Sequence, residues 1–372
     1  MAFDMGRAFH AAWRLAPRLP EGLVRGVVDV AFRAAARSGG GGVRQLRANY
    51  SRIRPDATPT ELDRLARQGM REYGRYYAEA FLLPKFSTPE QLADRVRAIH
   101  TDASERDLRE GSVVLALGHT GNWDIAGAWV SAFHATVLTV AERLEPESLF
   151  REFLAFRESL GMEVLALEKG QNVFRQLVRG AVGKRRAVSL LADRDLTLRG
   201  VEVDLLGDRA LFAAGPAAVA LAARVPLYFV GIRSDRITGS DGRKRWGIEL
   251  EFVGPLEVSE DLGGSARIAS LTQAWVDELS AHIRRHPTSW HMLQKVFVAD
   301  LDPDRLSRRD AMAAGAVDGP RVGGEDDRAD GEDGQVGDDD GRVVDAGGQA
   351  SGGGRVGEGS GGRASDDLEA TG

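Results

Sequence analysis

The sequence contains no cysteine. This absence excludes a disulfide framework and a cysteine-based metal site, and it makes a reducing cytosol the expected setting. The sequence also lacks the G-x-S-x-G elbow of serine hydrolases and the G-x-x-x-x-G-K-[ST] loop that holds nucleotide phosphates. We therefore expect neither serine-hydrolase nor P-loop chemistry.

Long uninterrupted apolar runs are also absent. The first thirty residues, where a secretory signal would lie, are broken by Arg, Pro, Asp and Glu. The longest weakly polar stretch, residues 210–232, is interrupted by Gly215, Pro216, Arg224 and Pro226. This pattern predicts a loop, a helix and a buried strand, and no transmembrane helix.

The net charge of −6 conceals an uneven distribution. The segment from residue 301 to the end holds 18 acidic and 8 basic residues, so the remaining 300 residues hold 37 acidic and 41 basic ones. Residues 1–55 contain ten Arg and three acidic residues. The body is therefore mildly basic, with its positive charge concentrated at the front, and an acidic tail hides this.

Between about residues 112 and 254, apolar runs of β type alternate with helical segments. The strand candidates are 112–117, 136–142, 163–167, 187–193, 202–207, 226–232 and 247–254, separated mostly by helical segments such as 147–160 and 173–182. This alternation predicts an α/β fold with a central, largely buried β-sheet flanked by helices. A long helix over roughly 264–285 closes the body.

The front of the chain is predicted to be helical. Residues 5–37 form two helical patterns, split between Pro17 and Pro20, in which apolar and aromatic residues alternate with Arg. They could form a core-packing hairpin with a solvated basic face, or a surface helix lying on anionic lipid, and the two interpretations are compatible. A capping box, Thr58 with Glu61, starts the next helix, and Ser87 with Glu90 repeats the pattern.

These patterns divide the chain into three parts. Residues 1–56 are basic amphipathic helices that form one domain with the α/β body at 57–302. Residues 303–372 are predicted to be a disordered tail, since glycine accounts for 18 of the last 72 residues and charged residues for much of the remainder. The tail includes GEGSGG at 357–362, which fits G-x-G-x-x-G but has neither the preceding strand nor the following helix of a dinucleotide site.

The stretch LALGHTGNWD, residues 115–124, contains the candidate catalytic residues. His119 ends an apolar strand, and Asp124 opens an apolar helix. Residues five apart on one straight helix differ by about 140°, so the two side chains meet only if His119 lies on the turn before the helix. A carboxylate on one imidazole nitrogen would leave the other to take a proton from an alcohol. A structural His beside a helix-capping Asp remains the alternative on this pattern alone.

The flanking residues resemble a known family. G-H-T-G-N-W-D (118–124) is similar to the catalytic segment of bacterial lipid A biosynthesis acyltransferases, which move a fatty acyl chain from a thioester donor onto a glycolipid hydroxyl. FRESLGMEV (156–164), LLADRDLTLRGVEVDLLG (190–207) and AAGPAAVALAARVPLYFV (213–230) resemble further segments of that family. With HPTSWHMLQKVFVADLD (286–302), the second segment most resembles the actinobacterial branch that acylates phosphatidylinositol mannosides.

The resemblance implies roles for individual residues. His119 matches the general base, and either Asp124 or Asp193 matches its carboxylate partner; the sequence leaves this choice open. Arg157 and Arg194 match polar positions lining the same site.

The remaining candidates belong to the same motif. Trp123 would line the acyl or sugar site. Backbone N–H groups at Gly121 and Asn122 would steady a developing oxyanion.

The resemblance also implies partners and a location. It implies an acyltransferase-type α/β sandwich that takes acyl-CoA as donor and a phosphatidylinositol mannoside as acceptor, with no cofactor. The enzyme would lie peripherally on the anionic lipid of the cytoplasmic face of the cell membrane. His282 and His286 have helical metal-ligand spacing, but no third ligand is apparent, so no metal is expected. The Arg residues lack a nucleic-acid-binding signature, so no nucleic acid partner is expected.

Overall fold

A computed structural model describes residues 13–86, 88–142, 147–167, 172–195, 200–304, 306–307, 309, 341–344 and 350–353. Its helices are α1 Glu21–Ser38, α2 Gly41–Ile53, α3 Pro59–Leu82, α4 Pro89–Ala93, α5 Asp102–Glu110, α6 Trp123–Phe133, α7 Glu147–Ser159, α8 Val173–Ala181, α9 Gly215–Ala223 and α10 Gly264–Arg285. Its strands are β1 Val96–Ile99, β2 Val113–Leu117, β3 Thr136–Glu142, β4 Glu163–Leu167, β5 Arg186–Leu191, β6 Val201–Leu205, β7 Asp208–Phe212, β8 Leu227–Thr238, β9 Lys244–Val253, β10 Gly341–Val344 and β11 Ala350–Gly353. Short 3₁₀ helices span Ala16–Arg18, Leu83–Lys85, Pro287–Ser289 and Val298–Asp300.

A seven-stranded mixed sheet organises the body, in the order β1-β9-β8-β2-β5-β3-β4. The β2 strand pairs in parallel with both β5 and β8, and β3 pairs in parallel with β5 and β4. The β8 and β9 strands form a long antiparallel pair. The predicted fold class, an α/β fold with a central sheet between helices, is confirmed.

Both faces of the sheet are covered by apolar side chains. Along β2, Val113, Leu115 and Leu117 belong to the core under α6 and α7, whereas Val114 and Ala116 belong to the core on the opposite face. This alternation follows from the two-residue period of a strand. All five side chains are buried, which explains why β2 has an uninterrupted apolar sequence.

The sequence placed most of the body strands correctly but assigned one of them to the wrong sheet. The predicted strand at 202–207 is β6, which pairs with β7 in a separate two-stranded ribbon. Its apolar run alone could not reveal this, because a strand's partner is set by tertiary contacts. The β1 strand was not predicted, since Val-Arg-Ala-Ile is short and carries a charge, yet it pairs in parallel with β9.

The predicted helix starts are partly confirmed. The Thr58 hydroxyl accepts from the backbone N–H of Glu61, and the Glu61 carboxylate accepts from that of Thr58, which completes the capping box of α3. The second box lies one residue further than predicted, at Thr88 and Gln91, and Ser87 is outside the described residues. The break between Pro17 and Pro20 is confirmed, because a 3₁₀ turn over Ala16–Arg18 precedes α1; residues 1–12 lie outside the described chain.

Most of the predicted disordered tail, 303–372, lies outside the described residues, including GEGSGG. Two of its segments, β10 and β11, pair as an antiparallel ribbon that the composition did not predict. Among the described helices, none combines the length and apolarity needed to cross a bilayer.

The described core ends before the tail begins. Within the described chain, the buried apolar side chains end at Phe297, and the Arg309–Glu202 pair at 3.6 Å is a partly exposed contact of small energetic value. We predict that deletion of 310–372 leaves the melting temperature unchanged to within about 2 °C in calorimetry.

A truncation after Ser289 provides the contrasting control for that deletion. It removes the buried side chains Trp290, Met292, Val296 and Phe297, each worth about 1.5–3 kcal/mol of burial. That protein should lack a cooperative unfolding transition. A large fall in melting temperature for the shorter deletion would mean that the tail is part of the folded unit.

Candidate active site

The register between β2 and β5 brings His119 to Asp193. Leu117 at the end of β2 lies opposite Leu191 at the end of β5, and each candidate residue follows two positions later. Because parallel strands end at the same edge of a sheet, both side chains emerge together at the carboxyl edge. The two residues are 74 positions apart in the chain, so their meeting depends on the topology.

The His119–Asp193 pair is buried and joined by two hydrogen bonds. Asp193 accepts from the His119 ring Nδ1 with one carboxylate oxygen, and its other oxygen accepts from the His119 backbone N–H at 2.8 Å. That second oxygen also accepts from Trp290 Nε1 at 2.9 Å. Burial by itself would raise the pKa of Asp193, but the His119 charge and these hydrogen bonds hold it below its ordinary value. Asp193 is therefore ionised at neutral pH and holds the Nδ1 side of the ring.

The turn that carries His119 depends on two glycines. A Cβ on Gly118 would lie 2.8 Å from Leu279 Cδ1 and 3.2 Å from the Asp193 carboxylate. Gly121 has a φ of +56°, and its N–H donates to the Ser289 carbonyl at 2.9 Å. This N–H, predicted to face an oxyanion, is instead engaged in holding the turn.

Asp124 lies in the first turn of α6 but contacts other partners than the His119 ring. Its Oδ1 accepts from Arg157 Nε at 2.8 Å, and its Oδ2 accepts from the Tyr76 hydroxyl at 3.0 Å. Asp124 and Arg157 are both almost fully buried. Of the two carboxylates that the sequence left open, Asp193 contacts the His119 ring, while Asp124 joins α6 to α7 and α3. Removing one partner of a buried ion pair typically costs about 3–5 kcal/mol.

Asn122 is the N-cap of α6 and is fully buried. Its Oδ1 accepts from the Ile125 N–H at 3.1 Å, and its Nδ2 donates to Glu79 Oε2 at 3.2 Å. Burial raises the pKa of Glu79, although the charges of Arg25 and Arg75 oppose the rise. Glu79 was not predicted from the sequence, where it lies in an ordinary amphipathic pattern.

The Trp123 side chain lies between the His119 ring and α3. Its ring centroid lies 5.5 Å from that of His119 and 4.4 Å from that of Tyr76, on which it stacks. Tyr76 therefore supports both Trp123 and Asp124, and it too was not predicted. Arg194 directly follows Asp193 in the sequence, and its Nη2 lies 3.6 Å from Glu142 Oε2.

The segment HPTSWH, residues 286–291, contacts both the His119 turn and Asp193. Thr120 and Trp290 form an antiparallel bridge, and the His291 N–H donates to the His119 carbonyl at 2.7 Å. The His291 ring stacks on Tyr73 at 5.2 Å. Trp290 is fully buried, and its indole N–H donates to the Asp193 carboxylate.

The candidate metal pair lies away from this arrangement. His282 is buried, with its Nε2 at 3.3 Å from the Ile232 carbonyl and its Nδ1 at 3.7 Å from Glu251. In the part of the chain that the structure describes, no group of three or more His, Asp or Glu side chains could hold a metal ion.

A largely apolar cavity adjoins the His119 turn. It lies between the sheet and α6 and has a volume of about 40 Å³, and its wall includes Trp123, Gly127, Leu117, Leu191 and Met162. The buried Asp124–Arg157 pair borders it as well. An apolar ligand could therefore lie beside Trp123, whose ring contacts His119.

His291 provides a test of the buried site by pH. Burial is the main cause that lowers the pKa of His291 to about 3, and the charges of His119 and Arg75 add to it. An unfolded His titrates near 6.5, so between pH 3 and 6.5 the unfolded chain binds more protons. This contribution to stability is complete above pH 6.5 and is lost as the pH falls towards 3.

We predict that His291→Phe reduces the acid sensitivity of folding. From pH 7 to pH 5, the unfolding free energy should fall by about 2 kcal/mol more in the wild type than in the variant, measured by urea titration at each pH. Equal losses in the two proteins would contradict a buried, neutral His291.

Comparison with known proteins agrees with the motifs. A family model described as bacterial lipid A biosynthesis acyltransferase matches residues 5–298. A phosphatidylinositol mannoside acyltransferase of Mycolicibacterium smegmatis is 38% identical over 306 residues, which cover 82% of this chain and 94% of that protein. One from Mycobacterium tuberculosis is 38% identical over 312 residues, covering 81% and 91%. The chain belongs to the bacterial lipid A biosynthesis acyltransferase family.

Proposed function

We propose that the protein transfers a long acyl chain from acyl-CoA to a mannose hydroxyl of a phosphatidylinositol mannoside. The observation that carries this proposal is the buried contact between the His119 ring and the Asp193 carboxylate, inside a chain of an acyltransferase family. The acceptor class is that of the phosphatidylinositol mannoside acyltransferases to which the chain is similar.

The pair suits general-base catalysis of acyl transfer. With Nδ1 held by Asp193, His119 Nε2 takes the proton of the mannose hydroxyl while its oxygen attacks the thioester carbonyl carbon. The tetrahedral intermediate then collapses, the carbon–sulfur bond breaks, and the proton on Nε2 passes to the departing CoA thiolate. The new ester and free CoA leave, and His119 is neutral again. Ionised Asp193 stabilises the imidazolium that exists between the two proton transfers.

The cavity beside Trp123 is the proposed site of the acyl chain. Its wall of Leu, Val, Met and Phe side chains offers the chain an environment away from water, which is worth about 0.8 kcal/mol per buried methylene. The thioester carbonyl would then lie at the mouth of the cavity, near the His119 ring. Asp124, Arg157 and Asn122 act as positioning residues in this scheme, because they fix the start of α6. Arg194 is proposed to meet a phosphate of donor or acceptor.

A lipid-facing surface is proposed for α1. Leu19, Leu23, Val27 and Val30 recur at helical spacing and are 39%, 51%, 61% and 67% exposed. Exposed Arg residues flank them, which suits a helix resting on anionic head groups. On the opposite side of α1, Arg25 Nη1 lies 3.3 Å from Oε1 of the buried Glu79. The protein would therefore bind the cytoplasmic face of the membrane peripherally, with this stripe in the lipid.

We predict that His119→Ala and Asp193→Asn each lower kcat by about 10²–10⁴-fold, because each removes a part of the general-base pair. The assay follows free thiol from palmitoyl-CoA with phosphatidylinositol mannoside and identifies the lipid product by mass spectrometry. His100→Ala changes an exposed histidine that follows β1, away from the site; it is the matched control and should keep wild-type activity.

The same assay separates the other candidate functions. Product formed on a different glycolipid or on a glycerol phosphate, and abolished by His119→Ala, would keep the chemistry and replace the acceptor. Equal turnover in wild type and His119→Ala would overturn the general-base mechanism. No turnover in any protein, together with intact lipid binding, would favour a non-catalytic lipid-binding scaffold.

We predict that Val30→Asp weakens binding to anionic phospholipid vesicles by at least about tenfold. The substitution removes apolar surface that would be buried in the lipid, and it adds a negative charge that the anionic head groups repel. Val182→Asp changes a similarly exposed valine, 53% against 67%, at the end of α8 and should bind as the wild type does. Vesicle co-sedimentation at low salt measures both. Equal weakening in both variants would mean that the contact is not localised on α1.

A further inference from the structure

We propose that a basic cavity between α1, α3 and the start of β9 binds a phosphomonoester group carried by a membrane lipid. The cavity lies apart from His119, and its occupation would be a property separate from acyl transfer. Only the choice of a lipid as the carrier rests on the proposed function, through the lipid-facing surface assigned there to α1.

The cavity is an open space within the helical front of the molecule. Its volume is about 270 Å³, against about 40 Å³ for the cavity beside Trp123. Arg25, Gly26 and Asp29 form the α1 side, and Trp246 forms the β9 side. A Cβ on Gly26 would meet no atom within 4 Å, so α1 leaves the cavity unfilled at this position. The space can therefore hold a small polar group.

The α3 side of the cavity faces away from the catalytic residues. It consists of four residues with helical spacing, Arg71, Gly74, Arg75 and Ala78. Tyr76, which stacks on Trp123 beside His119, lies about 150° around the helix from the centre of that face. A ligand in this cavity is therefore separated from the His119 ring by the width of α3.

The lining of the cavity has an excess of positive charge. It includes three guanidinium groups and one carboxylate, a net charge of +2, from Arg25, Arg71, Arg75 and Asp29. The ion-pair and ring contacts around the lining add three carboxylates and three guanidinium groups, of Glu21, Glu72, Glu79, Arg33, Arg95 and Arg236. These cancel each other and leave the excess in place. A phosphomonoester has a charge of about −1.5 to −2 at neutral pH and three acceptor oxygens, so it matches both the charge and the donors of this lining.

Two guanidinium groups of the lining are held in place by the protein. The Arg75 guanidinium lies 3.6 Å from the centre of the Trp246 ring, which orients its plane. Arg25 donates from Nε to Glu21 at 2.9 Å and from Nη1 to Glu79 at 3.3 Å. In the described part of the chain, the buried Nη2 of Arg25 has no hydrogen-bond partner. A buried donor without an acceptor is unfavourable, and a phosphate oxygen entering the cavity at Arg25 would supply that acceptor.

The edge of the cavity adjoins the proposed lipid-facing surface. Gly26 and Val30 are four residues apart on α1, so they are neighbours on one side of the helix. Val30 belongs to the exposed apolar stripe and is 67% exposed. With that stripe in the lipid, the cavity lies at the depth of the head groups, where a lipid phosphate can enter it. This placement favours a lipid phosphomonoester, such as that of phosphatidic acid, over a soluble one.

The experiment compares binding of the full chain to two kinds of phosphatidylcholine vesicle by co-sedimentation. One kind contains phosphatidic acid, and the other contains enough phosphatidylglycerol, a phosphodiester, to give the same surface charge. The wild type should bind the first kind at least about tenfold more tightly, because a monoester offers the guanidinium groups an additional charged oxygen. At equal surface charge, the ratio of the two dissociation constants reports recognition of the head group rather than general attraction.

Two substitutions in one ion pair should change this ratio in opposite directions. Arg71 Nε donates to Asp29 at 3.0 Å. Arg71→Gln removes a charged donor and should lower the preference for phosphatidic acid by about tenfold. Asp29→Asn removes the carboxylate that competes with the phosphate and should raise it by about twofold to fivefold. The matched control is Arg109→Gln, which changes an exposed arginine of α5 that pairs with Glu105 outside this lining and should keep the wild-type ratio.

Glycerol 3-phosphate, titrated by calorimetry without vesicles, tests the carrier. Binding that Arg71→Gln weakens, together with equal binding to both kinds of vesicle, would overturn the lipid carrier and leave a site for a soluble phosphomonoester. Equal binding to both vesicles with no binding of glycerol 3-phosphate would overturn the site itself. A fall of the ratio in both Arg71→Gln and Asp29→Asn would also overturn it, because loss of the ion pair would then explain the effect.

These readouts do not depend on turnover. A protein that prefers phosphatidic acid but releases no thiol from palmitoyl-CoA would overturn the proposed acyl transfer and keep the phosphate site. Acyl transfer at the normal rate, with neither vesicle preference nor glycerol 3-phosphate binding, would do the reverse.

Discussion

The parallel pairing of β2 with β5 is the constraint on which the active site depends. Its register places Leu117 opposite Leu191, and His119 and Asp193 each follow two residues later, beyond the ends of the two strands. A shift by one residue would direct one of the two side chains to the opposite face of the sheet. The apolar packing of both sheet faces fixes that register, because Leu115 and Ala116 belong to different cores. The packing of the core therefore also fixes the contact between His119 and Asp193.

The α3 helix connects the active site to the front of the molecule. Tyr76 stacks on Trp123 and donates to Asp124, and Glu79 accepts from Asn122. Arg25 of α1 reaches the same Glu79. The start of α6, which follows the His119 turn, is thus held by buried polar contacts from α3, in addition to the Arg157 contact from α7. Such contacts are directional, and a buried polar group left without its partner costs about 1–3 kcal/mol, so they fix position more sharply than apolar packing alone.

The two buried aspartates of the site differ in the side chains that they contact. Asp193 meets a ring that exchanges protons, and Asp124 meets a guanidinium that does not. Both lie within the fold, where an uncompensated charge would be strongly unfavourable. The first pairing leaves a titratable group beside the apolar cavity, and the second fixes α6 against α7. The two carboxylates therefore differ in what they hold: Asp193 orients the His119 ring, and Asp124 holds the Arg157 guanidinium.

The sequence alone determined the local features of this protein. The apolar run before His119 predicts β2, the capping box of Thr58 and Glu61 predicts the start of α3, and the G-H-T-G-N-W-D motif indicates the family. Each of these depends on neighbours within a few residues, where backbone geometry and side-chain periodicity act directly.

The tertiary structure alone decided which carboxylate contacts His119. Asp124 is five residues away and Asp193 is 74 away, yet strand pairing brings the distant one to the ring. It also decided that β6 leaves the main sheet, that Glu79 and Tyr76 support the site, and that Phe252 lines a cavity near α6. The reason is physical: these contacts join segments whose proximity is set by the packing of the whole sheet, which no local pattern encodes.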